Sequence, residues 1–142
     1  MAAPLGWRTL QDSSVNPSTT FALPSAASLS TTSLTIDLGT DAYKPEQFEV
    51  ELSIPSLTSV IAPSTVTAGV TYIIESSTTS AFSAVARTLA SKNLVPSGSG
   101  IAATILRTRV PSDCERYVRG KVTFGATAVD GSAVVGTLNA RF

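Results

Sequence analysis

Cys114 is the only cysteine, and it stands between Asp113 and Glu115 with Arg116 following. Carboxylates beside a thiol disfavour the thiolate and a guanidinium favours it, so this setting does not prepare a nucleophile. The chain has no histidine. That removes the usual general base, the proton shuttle and the commonest metal ligand. Cys114 therefore reads as a small residue at a strand edge. Glu49 and Glu51 lie two apart on an alternating stretch, so both project from one face. Such a pair suits acid chemistry or Ca²⁺ in principle, but a solvated or salt-bridged outer face is the simpler expectation. Gly98-Ser99-Gly100-Ile101-Ala102-Ala103 matches the loose Gly-x-Gly-x-x-Ala dinucleotide pattern. The pattern needs a helix next, whereas the following residues alternate and run into Pro111, so it reads as a loop. Asn16 is followed by Pro17, which leaves no glycosylation acceptor. No catalytic, cofactor or metal residue is expected, and the chain reads as a non-enzyme.

What remains is the scaffold. A chain of 142 residues with 8 Pro and 9 Gly, rich in Ser and Thr, suits one all-β domain with many turns. One cysteine rules out an internal disulfide. The first residues show neither the basic end nor the apolar run of a signal peptide. No apolar stretch approaches membrane-spanning length, so a soluble chain is expected.

Residues 114–142 read as a closing antiparallel hairpin, with strict alternation on both arms. A three-residue turn with Gly131 in the left-handed region would pair Val122 with Leu138, Gly120 with Ala140 and Phe124 with Gly136. This register keeps the apolar sets on one face. Further strands are expected over residues 34–38, 48–54, 70–75 and 103–110, with a weak one at 57–61. Residues 81–94 admit a helix through Phe82, Val85, Ala86 and Leu89, but a strand over 84–90 fits the surroundings better. Six to eight strands and no helix predict a β-sandwich or jelly roll over residues 33–142.

Charge is divided along the chain. Residues 1–80 carry seven acids and two bases, and residues 81–142 carry three acids and eight bases. If sequence-distant strands pair, acids and bases meet across a sheet or between subunits. Glu49 and Glu51 are expected opposite Arg119 and Lys121. A basic stripe with an equal acidic partner and few aromatics is not a nucleic-acid footprint.

Residues 1–32 hold Pro4, Pro17 and Pro24 and no sustained period, and read as an extended N-terminal arm. It is either a loose terminus or an arm that orders on a neighbouring subunit. In the second case Trp7, Arg8, Leu10 and Phe21 become candidate contact residues, with Trp7 as anchor.

From about Leu23 onward the chain resembles the capsid cement (decoration) proteins of tailed bacteriophages, of the type found in a Bordetella podophage. The likeness lies in Thr35-Ile36-Asp37-Leu38-Gly39-Thr40-Asp41, in Ile73-Ile74-Glu75-Ser76-Ser77 with Ala81-Phe82-Ser83, and in Arg107 to Val110. It continues through Glu115-Arg116-Tyr117-Val118-Arg119-Gly120-Lys121-Val122 and closes with Gly131 and residues 132–138. The resemblance implies a jelly-roll-like β-sandwich on the exterior of an icosahedral shell, tying capsomers together. Its partners would be the major capsid protein and itself, as homodimer or homotrimer, with no nucleic acid, membrane or cofactor. The alternative expectation is a tail or fibre module that binds host carbohydrate through exposed aromatics, for which Trp7, Tyr43 and Tyr72 are the candidates.

Overall fold

The computed structural model describes residues 18–38, 49–85 and 87–141. They form nine strands: β1 (Ser18–Ala22), β2 (Ser30–Thr32), β3 (Ile36–Asp37), β4 (Glu49–Ile54), β5 (Val70–Ser77), β6 (Arg87–Leu94), β7 (Thr104–Arg109), β8 (Tyr117–Phe124) and β9 (Val135–Arg141). One sheet has the order β1-β9-β4-β7, and the other has β2-β8-β5-β6 with β3 also on β8. Every pairing is antiparallel.

Counting β2 and β3 as one interrupted strand makes the order that of a jelly roll. The first half of the chain runs against the second as a ribbon: β1 on β9, β2 and β3 on β8, β4 on β7, β5 on β6. Rolling the ribbon then adds β4 on β9 and β5 on β8. The protein is an all-β sandwich.

The core lies between the sheets. β8 alternates without a break, burying Val118, Gly120, Val122 and Phe124. β9 buries Gly136, Leu138 and Ala140. From β4 come Val50, Leu52 and Ile54, and from β5 Val70, Tyr72 and Ile74. Gly120 faces Leu52, and a Cβ there would stand 2.8 Å from Leu52 Cδ1. A larger residue at 120 would push the sheets apart.

The buried faces of β4, β8 and β9 are as the alternation predicts, but the strand expected over 34–38 is only Ile36–Asp37 with Leu34 exposed, and the closing hairpin is not formed. β8 and β9 lie in opposite sheets: Val122 pairs with Thr31 and Tyr72, and Leu138 with Thr19 and Leu52. Phe124 is opposite Val70, and Gly136 opposite Phe21. Period-two alternation records which face is buried, and both strands bury theirs in the same core from opposite sides. Residues 125–134 cross between sheets instead of turning back. Gly131 is not in the left-handed region. It is small because a Cβ would meet the Phe124 ring at 2.7 Å, and its N–H donates to the Pro24 carbonyl at 2.9 Å.

Two strands arise where an arm is expected. β1 and β2 fall within residues 18–32, and Phe21 and Leu23 enter the core. The sandwich therefore begins by Ser18, ahead of the expected boundary at residue 33. The strand expected over 84–90 lies at Arg87–Leu94. Residues 57–61 contribute only an isolated bridge from Leu57 to Ile101.

Candidate functional site

The outward faces of the sheets carry most of the charge. Glu51 projects from β4 into a gap between its two neighbours, where only 5% of the side chain stays exposed. Arg107 of β7 donates from Nε at 2.6 Å, and Arg141 of β9 from Nη2 at 3.2 Å. Glu49 meets Arg109 at 3.8 Å in a more open setting. On the other sheet, Arg119 donates to the buried Glu75 at 2.7 Å. The Phe82 ring lies against the Arg119 guanidinium, with its centre 4.1 Å from the guanidinium carbon. Phe82 reaches that position in a left-handed conformation, φ 49°. A cation held against a ring and a carboxylate out of water gains from both contacts.

The expected pairing of acidic first half with basic second half is thus present, but its partners differ. Arg119 and Lys121 lie on β8, in the sheet that excludes β4, so they cannot reach Glu49 or Glu51. Arg119 binds Glu75, and Lys121 has no carboxylate partner among the described residues. The bases that meet Glu49 and Glu51 are Arg107, Arg109 and Arg141. Their alternation along β7 and β9 was visible in the sequence, but which sheet holds those strands was not. Asp37 adds a further cross-half pair, gripped by the Arg116 fork at 2.7 Å on both oxygens.

Near the β7–β8 connection the side chains with most chemical potential converge. Ser76, fully buried, donates its hydroxyl to Glu115 Oε2. Arg87 forks onto Asp113 at 3.1 and 3.3 Å and lies 3.8 Å from Glu115. The Cys114 thiol, buried, points to Glu115 at 4.0 Å. Burial pushes the Glu115 carboxyl up, but the Ser76 hydroxyl, its own backbone N–H and Arg87 outweigh it and hold it below its ordinary 4.5. A carboxylate so stabilised is a weak base, and a serine closed off from solvent is no nucleophile. The cluster stitches β5, β6 and the β7–β8 connection together.

Of the candidate contact residues, Trp7, Arg8 and Leu10 lie outside the described residues. Phe21 is buried against Gly136 in its own chain. Tyr43 also lies outside, and Tyr72 is 1% exposed, with its hydroxyl buried and pushed up to about 12 by that burial. Among the described residues no group of His, Cys, Asp and Glu could hold a metal ion, and no helix is long and apolar enough to cross a membrane. No protein-family model matches the chain, and no curated protein matches it.

Proposed function

We propose that this chain is a structural virion protein, a capsid cement or decoration protein seated on the outside of an icosahedral phage head. There it stabilises contacts between capsomers, with the major capsid protein and itself, as homodimer or homotrimer, as partners. It needs no cofactor, nucleic acid or membrane and catalyses no reaction. The observation that carries this proposal is how the chain's chemically capable groups are used. Every described arginine is ion-paired within the chain, and the Ser76 hydroxyl that bonds the Glu115 carboxylate is sealed in. Support also comes from the resemblance along residues 23–142, and by fold-level analogy from the use of jelly rolls as viral capsid and lectin domains.

A fibre module reading host sugar is the second proposal, and Tyr72 weighs against it. That side chain lies in the core and offers no face to a ligand. Tyr117 is covered by Arg116, 5.0 Å from its ring centre.

Counting the protein on purified particles separates the two. A cement protein approaches the major capsid protein in abundance on a quantitative gel. A few copies per particle, or none, would contradict the cement assignment.

A further inference from the structure

The connection that follows β5, described over residues 78–85, is fastened to the sandwich through one side chain. Residues 78–81 and 83–85 are all exposed, and Phe82 between them is buried. The stretch is Thr-Thr-Ser-Ala-Phe-Ser-Ala-Val, with no charge and no second aromatic. Its other large apolar residue, Val85, remains 45% exposed.

The hydrogen bonds of the connection close on themselves. Phe82 N–H donates to Thr79 O at 3.1 Å. Thr79 N–H donates to Ser77 Oγ at 3.2 Å, and Ser77 Oγ donates to Ala84 O at 2.8 Å. The Thr79 and Ser83 hydroxyls share a bond at 3.3 Å. All of these lie within residues 77–84, so they shape the turn on the end of β5 without tying it to β8. The Phe82 ring makes that tie. It folds back onto Arg119, which stands opposite Glu75 in the register of β5 with β8.

This tie works against a cost. At φ 49° Phe82 is in the left-handed region, where a bulky side chain is strained. Strain of that kind is comparable in size to what one ring gains by burial and by stacking on a cation. The closed turn is therefore favoured by a small margin. A segment with one buried side chain and only local hydrogen bonds belongs to the low-stability end of a fold.

We infer that residues 78–85 form a strap latched at a single point, Phe82 on Arg119, which opens as a unit while the sandwich stays folded. Opening withdraws the ring from the guanidinium and leaves Arg119 to hold Glu75 without it. Closure restores the contact. The strap thus couples a surface turn to the buried ion pair between β5 and β8.

Hydrogen exchange on the full chain, followed residue by residue at low urea concentrations, tests the strap. The amides at positions 79 and 82 are expected to exchange through an opening at least about a hundredfold more frequent than the one that releases Val118 and Val122 of β8, and insensitive to urea. Exchange at 79 and 82 only as fast as on β8, with the same urea dependence, would overturn independent opening. Phe82→Ala and Arg119→Ala should each raise the opening constant at Thr79 at least about fivefold. Arg119→Lys, which keeps a cation for Glu75, provides the comparison should Arg119→Ala fail to fold. Because the ring and the guanidinium form one latch, the double variant should exceed Phe82→Ala by no more than about twofold. Effects that multiply, or an Arg119 substitution that leaves Thr79 unchanged, would show that Arg119 is not the catch.

Discussion

At the end where β7 leads into β8, Arg87 holds Asp113 and lies near Glu115, Arg116 forks onto Asp37, and Ser76 bonds to Glu115. At the opposite end, four loops (residues 23–29, 55–69, 95–103 and 125–134) share one carboxylate, Asp130, and four exposed apolar tips, Leu29, Val60, Val95 and Val129. The difference separates two ways of using side chains. Charges at the first end are matched within the chain, so they stabilise and orient the sandwich but leave little for a partner. Apolar tips at the second end add almost nothing to the folded chain, because they remain in water. Substitutions near the first end should therefore change stability, and those at the tips should leave it nearly unchanged.

The largest effect is expected at Arg119. Replacing it by Ala strands the buried Glu75 carboxylate and should cost about 3–5 kcal/mol in urea unfolding, as for other buried pairs broken on one side. Arg116→Ala removes an equally short bond, but its pair with Asp37 is half exposed. That loss should be much the smaller of the two, because water screens the pair. Equal losses at the two sites would show that burial does not set the value of these pairs.

At the second end the sensitive position is a backbone one. Gly100→Ala forces a side chain into the left-handed region and against Leu57, with an expected loss of about 1–3 kcal/mol. Hydrogen exchange should rise at Leu57 and Ile101 together, since they share their bonds. A rise at only one of them would mean that the loops are not coupled.

Acid should loosen the charged end first. The Glu115 carboxyl is held below its ordinary 4.5 in the folded chain, so its contribution is complete above that value and is lost as pH falls through it. Ser76→Ala removes one of the bonds that depress it, and should shrink the stability lost between about pH 6 and about pH 3. An unchanged acid profile would assign the sensitivity to other carboxylates. The smallest effect is expected for Tyr72→Phe. The Tyr72 hydroxyl is buried without a partner among the described residues, so removing it should leave thermal stability within about 1 kcal/mol, on the stabilising side. A clear loss would reveal a bond to that oxygen.

Much of this was legible in the residues themselves. The alternation of Val118, Gly120, Val122 and Phe124, and of Gly136, Leu138 and Ala140, identifies the buried faces correctly. It does not say that the two strands face each other across the core, because parity is the same for sheet neighbours and for strands in opposite sheets. The charge division holds more topological information than any single motif. In a jelly roll the first half pairs with the second, so Glu51 finds Arg107 and Arg141, Glu75 finds Arg119, and Asp37 finds Arg116. Naming those partners requires the sheet order, which a sequence-local pattern cannot supply. β1 and β2 escaped notice because Ser-Thr-Thr-Phe-Ala and Ser-Thr-Thr bury too few apolar residues to show a period. The charge-free stretch at residues 55–69 is plain in the sequence, but only the fold brings it beside residues 23–29, 95–103 and 125–134.

The central proposal is that the chain is a cement protein on the outside of a phage head. A cryo-electron reconstruction of heads carrying this protein tests it most directly. The proposal predicts the sandwich outside the shell, bridging neighbouring capsomers at close to the copy number of the major capsid protein. Heads that carry none of the protein, or only a few copies of it, would contradict it.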